Sequence, residues 1–202
     1  MRVQYLSPHQ LESYRPFVDT LIITTYAPFP LDPAVPCAAS MWIADTLAQR
    51  VQDNFVGRAS TLPLGVNLQD ISPGALSAWQ GMWIHPVRGA LCIVDRTLLR
   101  PSVVHRGKFP VVYADWWQWL RSAVPTQRWS DAWLYLCMAI QPYRQSEERQ
   151  YAGLPQERCE GMAKEGGRLL SAMEDWLVHQ ISVLWHTMEQ SGENATESYR
   201  TY

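Results

Sequence analysis

Val18-Asp19-Thr20-Leu21-Ile22-Ile23-Thr24-Thr25 is a β-branched run of strand length. Its apolar residues are consecutive rather than alternating, the pattern of a strand covered on both faces, as in a parallel sheet. The residues after it fit that reading. Tyr26 to Pro36 is proline-rich and reads as a loop. Ile43, Leu47, Val51 and Phe55 then recur every four positions, which predicts an amphipathic helix over about 37–54. Gly57 ends it, and residues 58–62 form a second strand that turns at Pro63-Leu64-Gly65.

The alternation continues. Ser72-Pro73 reads as a cap with proline at the first helical position, opening a short helix over 73–84. Residues 89–95 form a third strand, 99–107 read as loop, and 109–113 form a short fourth strand. Asp115 caps a helix that closes before Pro125, and Ser130 opens another with Trp133, Cys137 and Ile140 on one face. At the N-terminus Ser7-Pro8-His9-Gln10 reads as a further helix start, stopped by Pro16. Strand–helix alternation of this kind predicts an α/β fold: a small, open, mostly parallel sheet of about four strands flanked by helices, with a long C-terminal helix as an extension. The expected organisation is an α/β domain over 1–141, a linker or loop over 142–156, an amphipathic helix over 157–190 and a disordered tail over 191–202. Gly166-Gly167 is an expected interruption of that last helix.

The 202 residues suit one domain of this kind. Hydrophobic residues at 47% against 18% charged exclude a disordered chain. Lys+Arg 17 against Asp+Glu 19, net −2, lacks the basic excess of a nucleic-acid-binding domain. The chain has 15 Arg, only Lys108 and Lys164 as lysines, and 10 Trp. Trp buries a large apolar area, so most of the ten belong in or near the core, and any surplus at the surface would suggest an interface. The N-terminus has no apolar segment of signal-peptide type, and no apolar run is long enough to span a membrane. The cysteines Cys37, Cys92, Cys137 and Cys159 contain no CxxC pair. They read as structural thiols in a cytoplasmic protein.

Recognised catalytic signatures are missing. The sequence has no GxSxG, no P-loop and no GxGxxG. His9, His85, His105, His179 and His186 form no metal-ligand spacing, so no metal or cofactor is expected. In a parallel α/β sheet ligands bind outside the carboxyl ends of the strands. Tyr26, Asn67, Asp95, Arg96 and Asp115 fall there and form the candidate pocket. Asp95 or Asp115 would serve as acid or base and Arg96 as an anion clamp. Trp117, Trp176 and Trp185 are the candidate interface anchors, with Trp117 expected to point away from the core.

Three stretches carry a family resemblance. Val18-Asp19-Thr20-Leu21-Ile22-Ile23, the segment Phe55-Val56-Gly57-Arg58-Ala59-Ser60-Thr61-Leu62-Pro63 and the turn at Asp115-Trp116 resemble an uncharacterised bacterial domain-of-unknown-function family of short Gram-positive proteins, over roughly residues 1–120. That resemblance implies an accessory role and brings no activity with it. Leu62-Pro63-Leu64-Gly65 gives a more distant likeness to creatininase-type amidohydrolases. Those enzymes hold two metals through Glu and His residues after the first strand, whereas Thr25 to Asp32 here contains neither. The likeness therefore implies a shared strand order without the metal site. Two functions follow as expectations. The first is a non-catalytic protein acting through a protein partner or self-association. The alternative is a small-molecule binder or hydrolase-like enzyme with its pocket at the strand ends.

Overall fold

The structure is a computed structural model that describes residues 17–26, 38–63, 87–95, 103–106, 109–140 and 156–198, together with His9 and Ser13. The expected helix over 73–84 lies outside the described residues, as do most of the N-terminal helix and all of the linker over 142–156 except Gln156, which opens the last helix. In chain order the elements are β1 (Thr20–Thr24), α1 (Ala39–Asn54), β2 (Ala59–Pro63), β3 (Gly89–Val94), β4 (Val103–Arg106), β5 (Phe109–Asp115), α2 (Trp116–Ala123), a 3-10 turn (Thr126–Arg128), α3 (Trp129–Ile140) and α4 (Gln156–Ser198).

The five strands form one sheet in the order β2-β1-β3-β5-β4. β2, β1, β3 and β5 are parallel, and β4 pairs antiparallel with β5. This is the expected α/β sheet with one strand added. Residues 99–107 read as loop in sequence because Pro101 and Gly107 bracket a segment too short to show a period. The hairpin partner β5 nonetheless recruits Val103–Arg106 as an edge strand.

Every side chain of β1 and β3 is buried. Register separates them into two sets. Ile22, Leu91 and Val112 lie abreast, as do Ile93 and Ala114, and all share a core with α1, α3 and α4. Leu21, Ile23, Cys92, Val94 and Val111 alternate with these and are buried on the opposite face. Burial on both faces explains why the strand sequences are continuously apolar. At the β2 edge, buried Gln52 of α1 accepts from both the N–H (3.0 Å) and the hydroxyl (2.9 Å) of Thr61. A side chain thereby occupies a backbone donor that an open edge would offer to another strand. Gly57, at φ 87°, makes the turn from α1 into β2.

α4 belongs to this same core. Leu169, Leu170, Met173, Leu177, Ile181, Leu184 and Met188 form one buried stripe against the sheet, α1 and α3. Each such side chain contributes about 1.5–3 kcal/mol on leaving water. Gly166-Gly167 does not interrupt the helix. A Cβ at Gly166 would collide with the Tyr135 carbonyl of α3 and lie 3.0 Å from Ala139 Cβ, so glycine here sets how closely α3 and α4 cross. Gly167 faces open space. The helix also runs on to Ser198, past the Gln190 boundary read from sequence. Its Met188 Sδ and Leu184 Cδ1 would stand 2.8 and 3.1 Å from a Cβ at Gly89, so this end lies directly over the start of β3.

The two adjacent glycines should respond with opposite signs. Gly166→Ala overpacks the crossing and should lower stability by about 1–3 kcal/mol. Gly167→Ala gains helix propensity and should raise it by up to about 1 kcal/mol. Urea denaturation midpoints measure both. Equal effects at the two positions would contradict the close crossing.

Candidate functional site at the strand ends

The chain leaves β1 toward β2 on one side, then crosses back to place β3 on the other. The carboxyl ends of β1 and β3 are therefore the topological switch point, where an open parallel sheet leaves a crevice. β1 brings Thr24, Thr25 and Tyr26 to this edge, β3 brings Asp95, and the first turns of α1 bring Ser40 and Asp45.

Hydroxyl–carboxylate bonds tie these elements together. The Ser40 hydroxyl donates to Asp95 Oδ2 at 2.6 Å, with both residues buried. The Thr24 hydroxyl donates to Asp45 Oδ1 of α1 at 3.1 Å. The Thr25 N–H donates to the Ile93 carbonyl at 3.0 Å, which carries the β1–β3 pairing one residue past β1. Thr25 is buried and Tyr26, next along, is half-buried. The N-cap of α1, Ala38, offers no side-chain cap, and the first turn holds no acidic residue. Through Ser40, Asp95 brings a carboxylate from another element to that helix end, where the helix dipole favours negative charge. Hydroxyls and carboxylates in this arrangement suit a ligand that presents hydrogen-bond donors.

Asp115 does not join Asp95. Register sets Asp115 beside Val94, so the pleat directs it to the face opposite Asp95. Its Oδ1 accepts from the N–H groups of Trp117 (2.9 Å) and Gln118 (3.0 Å) and caps α2. Asp115 is thus the helix cap read from sequence, and of the two candidate carboxylates only Asp95 stands at the β1–β3 end, paired with Ser40. Asn67 and Arg96 lie outside the described residues. Ser40, Asp45 and Thr24 were missed in sequence because they interrupt no pattern. The signal was there, since Ser40 sits in the first turn of the helix that follows the first parallel strand.

Each of the three tryptophans expected at an interface is engaged within the chain. Trp117 is buried, stacked on Trp133 (centroids 5.2 Å) and edge-on to Trp116 and Trp129. It does not point away from the core, because α3 folds over α2 and supplies a second apolar layer. Trp176 is partly buried and lies 6.4 Å from Trp119. Trp185 is partly buried against Phe55, and its indole N–H donates to the Thr20 hydroxyl at 2.7 Å. Arg58 lies over the Trp185 ring at 3.6 Å while its Nε donates to Asp19 at 2.9 Å. This arrangement fixes the C-terminal part of α4 to the amino edge of the sheet.

Among the described residues no three His, Cys, Asp or Glu side chains are grouped to hold a metal. No described helix is long and apolar enough to cross a membrane. Cys92, Cys137 and Cys159 are buried and form no disulfide among the described residues. Burial pushes the thiols of Cys92 and Cys137 up to about 12, which removes them as nucleophiles at neutral pH. No protein-family model, curated protein or solved structure matches this chain.

The thiols have a consequence for stability. In the unfolded chain they ionise near pH 9, whereas in the folded protein they hold their protons to about pH 12. The unfolded state then binds fewer protons, so stability should fall as pH rises through that window, by up to about 1.4 kcal/mol per pH unit per thiol. Cys92→Ala and Cys137→Ala together should flatten this slope in denaturation curves taken from pH 8 to 11. An unchanged slope in the double variant would contradict the assignment.

Proposed function

We propose that this protein binds a small polar molecule in the crevice at the carboxyl ends of β1 and β3. The observation that carries the reading is the buried Ser40–Asp95 bond at the switch point. A buried carboxylate is costly unless it is hydrogen-bonded, and this one lies where the topology opens the sheet to a ligand. The chemistry of the edge favours a neutral polyhydroxyl compound or an amine, which would donate to Asp45 and Asp95 and accept from Thr25. Partner binding is the weaker reading, because Trp117, Trp176 and Trp185 spend their apolar surface inside the chain. We read the location as cytoplasmic, supported by the buried thiols of Cys92 and Cys137, which are in no disulfide.

Thermal unfolding against panels of nucleosides, sugars and amines tests the reading. A true ligand at about 100 times its dissociation constant should stabilise the chain by about 2.7 kcal/mol. Ser40→Ala and Asp95→Asn should abolish that shift, while the surface change Asp53→Asn should leave it intact. A ligand whose stabilisation survives both site variants would place binding elsewhere, and the absence of a shift across all three classes would reject the proposed chemistry.

A further inference from the structure

A second concavity lies away from the strand ends, where α2 ends and α3 crosses α4. It has a volume of about 170 Å³. By the share of liquid volume that one water occupies, about 30 Å³, it has room for a handful of non-hydrogen atoms. Its inner wall is apolar, formed by Val124, Ala132 and Leu169. Its rim is charged. Arg128 and Arg168 stand on it with Glu165 and Tyr135.

Glu165 uses both carboxylate oxygens on Arg168, one to Nη2 at 2.7 Å and one to Nε at 3.1 Å. The hydrogen bond from Arg168 holds the Glu165 carboxyl below its ordinary range, so it is ionised at neutral pH. Arg128 stands 6.0 Å from the centre of the Tyr135 ring and feels the fields of Tyr135, Glu165 and Asp131, the last of which lies off the rim. A guanidinium has five N–H donors. The bonds to Glu165 take two from Arg168. The rim therefore carries two cations against one carboxylate, and both forks keep donors to spare beside an apolar wall.

We propose that this groove is a separate binding site for a small monocarboxylate with a short apolar tail. The carboxylate lies between Arg128 and Arg168 and restores charge balance, and the tail covers Ala132 and Leu169. Glu165 acts as a built-in competitor, because it occupies part of the same guanidinium surface.

The test is a titration of the full chain with sodium butyrate, followed by amide ¹H–¹⁵N shifts at Ala132 and Tyr135, with 1-butanol as the neutral control. So small a ligand should bind with a dissociation constant on the order of millimolar. Saturable shifts with butyrate and not with butanol are expected. Arg128→Gln with Arg168→Gln should abolish them. Both side chains are exposed, and retention of the native near-UV signal confirms the fold of that variant. Glu165→Gln should tighten binding by about two- to fivefold, the range of one exposed ion pair. A merely structural Glu165 would not produce that gain. Non-saturating shifts, equal shifts with butanol, survival of binding in the double variant, or weaker binding in Glu165→Gln would each overturn the site.

Discussion

The close crossing of α3 and α4 at Gly166 is the contact on which the rest of the molecule depends. A helix of 43 residues with a polar face does not hold its place by propensity alone. It is held because one stripe, from Leu169 to Met188, is buried against α3, α1 and the sheet. The missing Cβ at Gly166 lets the two backbones approach until that stripe reaches its neighbours. Farther along, Arg50 of α1 meets Glu174 at 3.2 Å, Asn54 donates to the same carboxylate at 2.8 Å, and the Arg88 guanidinium donates to the Met188 carbonyl at 3.2 Å. These polar contacts set register along a surface whose free energy is mostly apolar, since exposed pairs contribute about 0–1 kcal/mol each.

The same crossing creates the tryptophan layer. α3 arrives over α2, so Trp116, Trp117, Trp129 and Trp133 meet within 5.2–6.3 Å, mostly edge to face. The Trp116 indole N–H is buried there with no acceptor among the described residues. A cluster that accepts such a cost is maintained by packing. This places the tryptophan-rich segment in the scaffold. The scaffold supports the switch point by fixing α1, whose first turn carries Ser40 to Asp95. The groove lined by Ala132, Tyr135, Glu165 and Leu169 lies beside the same crossing.

The fold class was legible because parallel strands buried on both faces have an unmistakable pattern, and Leu21-Ile22-Ile23 and Leu91-Cys92-Ile93-Val94 show it. α1 was legible from Ile43, Leu47 and Val51. β4 was not, because four residues at an edge owe their conformation to Phe109–Asp115 and not to their own pattern. Gly166-Gly167 misled for a related reason. Glycine lowers helix propensity locally, and only the position of Tyr135 reveals what the absent side chain makes possible. At the site, Asp95 was identified from its place after a strand. Its separation from Asp115 was not, since that turns on a one-residue register between β3 and β5. Trp117 looked surplus because its partners, Trp129 and Trp133, lie on a helix whose direction the sequence does not state.

α4 is part of the main hydrophobic core and not an appendage. Size exclusion with light scattering and near-UV circular dichroism on a chain ending at residue 155, beside the full chain, tests it most directly. The shortened chain should lose its tryptophan near-UV signal and its cooperative unfolding transition, because the faces of α3 and the sheet that α4 covers are left in water. A shortened chain that is a monomer with a native near-UV spectrum and a sharp transition would contradict it.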